Sequence, residues 1–145
     1  MSDDYAKLES IEDKLVNYLS ARSRGSNFVK LKVVIINLAV SACHDQELFD
    51  SLIQAQKLIQ KCDSFKSIGG YPVARARKDV DFAIRYFGVD SKEAWLARIN
   101  YCSLHNREED DDVLLTLIFE FCASNEVSAE ALCNLLSNQF LDLQI

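Results

Sequence analysis

One proline, Pro72, and four glycines, Gly25, Gly69, Gly70 and Gly88, are all that 145 residues offer for sharp turns. Sandwiches and barrels reverse direction often and draw on those two residue types at each reversal. A chain so poor in them is expected to be all-α, a compact bundle of about six to seven helices with few connections. Apolar residues make up 49% of it and charged residues 26%, the balance of a globular chain that can bury its own core. The expected unit is one helical domain over residues 1–145. Gly69, Gly70 and Pro72 mark its clearest break and divide it into two similar helical halves, 1–68 and 71–145.

Apolar spacing places the helices. Tyr5, Leu8, Ile11, Leu15, Tyr18 and Leu19 recur at steps of three and four, predicting an inward face on a helix over 4–22. Gly25 is expected to end the following turn and Ser26 to cap the next element. The β-branched run from Val33 to Ile36 favours a strand locally. It has no second strand to pair with, so residues 28–42 are expected to be a buried helix. Further helices are expected over 45–63, from Pro72 to Phe87, from Asp90 to about Leu104, over 109–124 and from Ser128. In the fourth, Val73, Ala76, Val80, Ile84 and Phe87 should point inward, with Gly88 as terminator. In the fifth, Asp90 and Glu93 have capping-box spacing. The sixth is apolar on all sides and is expected to be central. Residues 38–48 and 117–127 echo each other, each a buried helix ending in Cys and a polar turn.

The acidic first residues and the shortness of the apolar runs fit neither a signal peptide nor a membrane span, so a cytoplasmic location is expected. Cys43, Cys62, Cys102, Cys122 and Cys133 are odd in number and widely spaced, without a CxxC pair. They are expected to be small buried hydrophobes in a reducing compartment, with no metal site. Neither a Gly-rich phosphate loop nor a GxSxG or HExxH motif occurs, and no cofactor is expected. The acids Glu108, Glu109, Asp110, Asp111 and Asp112 lack the alternation and central glycine of a calcium loop. Their place just before an apolar run is where a helix dipole and its free N–H groups attract negative charge.

Charge is unevenly spread. The net is −6, yet residues 57–107 sum to +5, and residues 108–145 hold nine acids and no base. Such polarity steers a partner or pairs copies of one chain. The basic part includes Arg75, Arg77, Lys78 and Arg85 on the fourth helix.

Arg98 and His105 stand seven residues apart, about 10.5 Å along one helix face. The pair resembles the Arg-x4-6-His pattern of the HEPN ribonucleases, over residues 98–105 only, with Ile99 where that family has residues such as Asn. The resemblance implies metal-independent RNA cleavage, usually by a dimer, with His105 moving a proton and Arg98 holding the scissile phosphate. The residues themselves favour a different reading: a non-enzymatic, protein-binding regulator or adaptor of the immunity, inhibitor or anti-defence type. Its contact residues are expected to be Arg75, Arg77, Lys78, Arg85 and Glu108 to Asp112, its partner another protein or a second copy in a homodimer. A helical subunit of a nucleoprotein complex is the third class, since Tyr71 and Tyr86 beside the bases could stack on nucleotides.

Overall fold

The run Val33–Ile36 is helical. The computed structural model describes residues 2–21, 24–61, 70–105, 111–125 and 127–143. Among these residues are seven helices and no strand: α1 (Ser2–Ser20), α2 (Arg24–Ala42), α3 (Gln46–Lys61), α4 (Tyr71–Phe87), α5 (Lys92–His105), α6 (Asp111–Ser124) and α7 (Ala129–Gln139). The all-α bundle is therefore as expected. Helix α2 keeps its β-branched residues helical because it is enclosed, packing on α3, α5, α6 and α7. Phe28, Leu31, Val34, Ile35, Ile36, Leu38 and Ala39 are all buried, and burial on this scale outweighs a few tenths of a kcal/mol of propensity per residue. Even Lys32 is buried, its ammonium resting 4.8 Å from the Phe28 ring centroid.

Helix α2, and not the sixth helix, occupies the middle. Helix α6 packs on α1, α2 and α5 through Leu114, Ile118, Phe121 and Cys122, while Val113, Glu120 and Ala123 face outward. An all-round apolar pattern measures composition, whereas centrality depends on how many neighbours the topology supplies. Helix α1 rests on α6 and α7, so helices from the two ends of the chain interleave. Near the C-terminal end the Tyr18 hydroxyl donates to Asp142, and the Tyr18 and Phe140 rings meet edge to face at 5.6 Å. Buried side chains from all seven helices join one core.

Several local expectations shift. Arg24 already lies in α2, so Gly25 and Ser26 fall inside its first turn and do not precede it. Tyr5 is exposed, because the inward line of α1 begins at Leu8. The echo carries through in outline, each helix ending within two residues of its Cys before a short turn to the next helix. Cys122, however, is buried inside α6, whereas Cys43 lies just past the end of α2 and is half-buried. Cys62, Gly69 and the rest of residues 62–69 lie outside the described residues.

The turn from α4 to α5 is built differently from the expected capping box. Gly88 has φ 100° and ψ 154°, a backbone region that is nearly glycine-only, and its N–H closes α4 on the Ile84 carbonyl. The cap of α5 is Ser91, not Asp90. Its hydroxyl accepts from the Ala94 N–H at 3.1 Å and donates to the Gly88 carbonyl at 2.7 Å. Serine caps as well as aspartate does, and only Ser91 stands three residues before the free N–H. Ser91→Ala should therefore cost about 1 kcal/mol, and Asp90→Ala nearly nothing, in urea unfolding. A loss at Asp90 with little or none at Ser91 would place the cap at Asp90 after all. At α7 the expected start holds, with the Ser128 hydroxyl accepting from the Ala131 N–H at 3.1 Å.

Candidate interaction surface

Helix α4 covers α5 in the most extensive helix–helix contact of the fold. Small residues allow it: Ala76 and Ala83 on α4, and Ala94 and Ala97 on α5, are all buried. Seven residues separate Ala76 from Ala83, close to two helical turns, and this pair fixes the inward line. Val73 and Val80 lie half-buried beside it. Ile84 and Phe87, expected inward, are 37% and 47% exposed. Ile84 sits about 100° round the helix from Ala83, and Phe87 occupies the last turn, just before the chain leaves at Gly88.

Fixing that inner line decides what the outer face carries. Tyr71, Arg75, Lys78, Phe82, Arg85 and Tyr86 follow one another at steps of three and four, with one adjacent pair, and so share a stripe. Phe82 is 54% exposed and Tyr86 68%. Their ring centroids are 4.4 Å apart, and Phe87 meets Phe82 edge-on at 6.4 Å. Val89 continues the exposed apolar surface beyond the helix. Lys78 and Arg85 are exposed on the same side of the helix as this aromatic knob, with the exposed acid Asp81 one turn from each, while Arg77 is exposed on the far side of α4 from Tyr86. Arg75 is half-buried and lies beside Asp79, whose carboxyl accepts a long hydrogen bond from Ser51 at 3.4 Å. Burial pushes the Asp79 carboxyl above its ordinary range, opposed by the Arg75 charge and the Ser51 bond.

The acids expected to act opposite these bases are only partly placed. Asp111 and Asp112 open α6, where a helix dipole favours negative charge. Glu108, Glu109 and Asp110 lie outside the described residues.

Arg98 and His105 both lie on α5, but their side chains serve its opposite ends. The Arg98 guanidinium turns toward the start of the helix, donating to the Val89 carbonyl at 2.6 Å and the Ala94 carbonyl at 3.3 Å. It also lies 4.5 Å from the Trp95 ring centroid. That is the behaviour of a clasp on the α4–α5 turn. His105 is exposed at the other end and stacks on the half-buried Tyr101, ring centroids 5.0 Å apart. Asp45, next to His44, spends its carboxylate capping α3, accepting from the Leu48 N–H at 2.9 Å.

Of the four described cysteines only Cys122 is buried as expected; Cys43, Cys102 and Cys133 are half-buried. Cys122 is buried and its thiol is pushed up to about 12 by desolvation; Cys43 and Cys133 are raised for the same reason. Among the described residues no group of three or more His, Cys, Asp or Glu could hold a metal ion. No described helix is long and apolar enough to cross a membrane.

One feature was invisible to sequence reasoning. A groove of about 190 Å³ runs between α1 and α6, floored by Leu8 and Phe119 and edged by Glu9, Glu12 and Glu120. The outward spacing of Tyr5, Glu9 and Glu12 on α1 hints at one acidic wall. Nothing in the sequence says that α6 supplies the other.

No protein-family model matches the chain, and neither a curated protein nor a solved structure is significantly similar to it.

Proposed function

We propose that the chain is a non-enzymatic binding protein that docks a protein partner through the outer face of α4, acting by occlusion or bridging. The observation that carries this reading is the aromatic knob of Phe82, Tyr86 and Phe87 with Lys78 and Arg85 beside it. Aromatic and arginine side chains are the residues most enriched where protein interfaces concentrate their energy. The rings favour a protein over single-stranded nucleic acid. Stacking on bases needs free ring faces set apart along a strand, whereas Phe82 and Tyr86 already cover one another. A basic rim suits a partner whose own rim is acidic. The ribonuclease reading draws less support, because the Arg98 guanidinium is spent on two backbone carbonyls and a ring.

Affinity capture from cells that express the protein tests this, with wild type beside a Phe82→Glu/Tyr86→Glu variant. Both positions are exposed, so the variant should fold normally. Proteins held by the wild type and lost from the variant, with or without nuclease treatment, are the expected result. Identical captures, or binding that vanishes with nuclease, would overturn it. So would cleavage of RNA in EDTA that His105→Ala abolishes.

A further inference from the structure

The knob on α4 and the groove between α1 and α6 are opposites in shape and in charge. The knob presents Phe82 and Tyr86 beside two exposed bases, Lys78 and Arg85. The groove offers an apolar floor, Leu8 and Phe119, between three exposed acids, Glu9, Glu12 and Glu120. Its volume of about 190 Å³ gives room for an aromatic side chain. We propose that the occupant of each is a second copy of this chain: the knob of one copy seats in the groove of the next. This rests on the reading of α4 as a docking face and names its partner.

The fold keeps a copy from satisfying itself. The knob is carried by α4, which packs on α3 and α5, while α1 packs on α6 and α7. The two faces share no supporting helix pair, and bringing them together would strip α4 from α5, the most extensive contact in the fold. A symmetric pairing of α4 with α4 is disfavoured by charge. It would bring Lys78 and Arg85 of both copies together with one acid per copy, Asp81, to offset them, and an excess of like charge across an interface is costly. Joining knob to groove is heterologous, and a heterologous contact propagates head to tail until it closes into a ring or grows into a filament. The chain-wide polarity fits: the strongly basic section contains the knob, and the section without a single base contributes Phe119 and Glu120 to the groove.

The decisive experiment uses two variants of the full chain. Phe82→Glu/Tyr86→Glu removes the knob and leaves the groove; Glu9→Lys/Glu120→Lys reverses the groove and leaves the knob. All four positions are exposed, and far-UV circular dichroism verifies that both variants fold. Light scattering of the wild type should show a mass that rises with protein concentration and falls with salt. Each variant alone should lose self-affinity about tenfold or more. Mixed in equal amounts, the two should form a dimer and nothing larger, since only one working knob meets one working groove. Symmetric α4 pairing predicts instead that the groove variant associates like the wild type and that the mixture gains nothing; either result overturns the proposal. A wild type that stays monomeric at every concentration also overturns it. If such a monomer still loses captured cellular proteins on removal of the knob, the docking reading stands with a different, acidic protein as occupant. If neither property depends on the knob, both fall.

Discussion

Phe121→Ala is expected to lower the free energy of unfolding by about 3–5 kcal/mol. Phe121 is completely buried on the inner line of α6, the helix that joins α1 to α2 and α5. Truncating it forfeits the transfer energy of the ring and leaves a cavity that packed neighbours close only partly. Against a total of about 5–15 kcal/mol for a typical domain, that is a fifth or more of the stability. Urea unfolding should register it as a large drop in midpoint at unchanged slope. The matched control is Phe82→Ala. With more than half its surface exposed, Phe82 should change stability by no more than about 0.5 kcal/mol. A comparable loss at Phe82 would mean that the outer face of α4 is held against the fold, which would remove it as a docking surface.

Asn100→Leu is expected to act in the other direction, raising stability by about 1–3 kcal/mol. Asn100 is 2% exposed at the centre of α5, and its Oδ1 accepts no hydrogen bond. A buried acceptor left unpaired bears its desolvation cost without compensation. The side chain borders a cleft of about 30 Å³ between α3, α4 and α5, lined also by Ser51, Arg75, Asp79 and Leu104, so the branched end of leucine finds space there. A lower urea midpoint in the variant would refute this account and show that the amide is satisfied in solution.

Much of the architecture was legible because few residues could break a helix. Pro72 and Gly88 bracket α4 closely, and the steps of three and four in α1 and α3 locate their buried faces. The reading of residues 28–42 as a helix held for a reason of elimination: a lone strand has nowhere to pair, and α2 is in fact wrapped on four sides. Errors arose where a rule of local sequence met a tertiary choice. Ile84 and Phe87 are as apolar as any core residue, yet Ala76 and Ala83 set the inner line, because only small side chains let α4 lie close on Ala94 and Ala97. That substitution of small for large is what turns an expected core edge into an exposed aromatic knob. The basic residues of α4 were identifiable from sequence as charges on an outer face. Their association with Phe82 and Tyr86 was not, since it depends on which of two apolar rows is buried. The α1–α6 groove joins residues more than a hundred positions apart, and no local pattern encodes that meeting.

The burial of Cys122 gives the molecule an internal clock. A thiol raised to about 12 carries almost no thiolate near neutrality, and thiolate is the species that alkylating reagents attack. Its modification must therefore wait for α6 to lift from its neighbours, while the half-buried Cys43, Cys102 and Cys133 react sooner and calibrate the reagent. The rate at Cys122 then measures the opening of α6 under native conditions, with no cysteine added to the chain. Phe119, one turn earlier on the same helix, floors the groove. A guest seated there holds α6 down, so occupancy of an outer groove becomes readable as the lifetime of a sulfhydryl in the core.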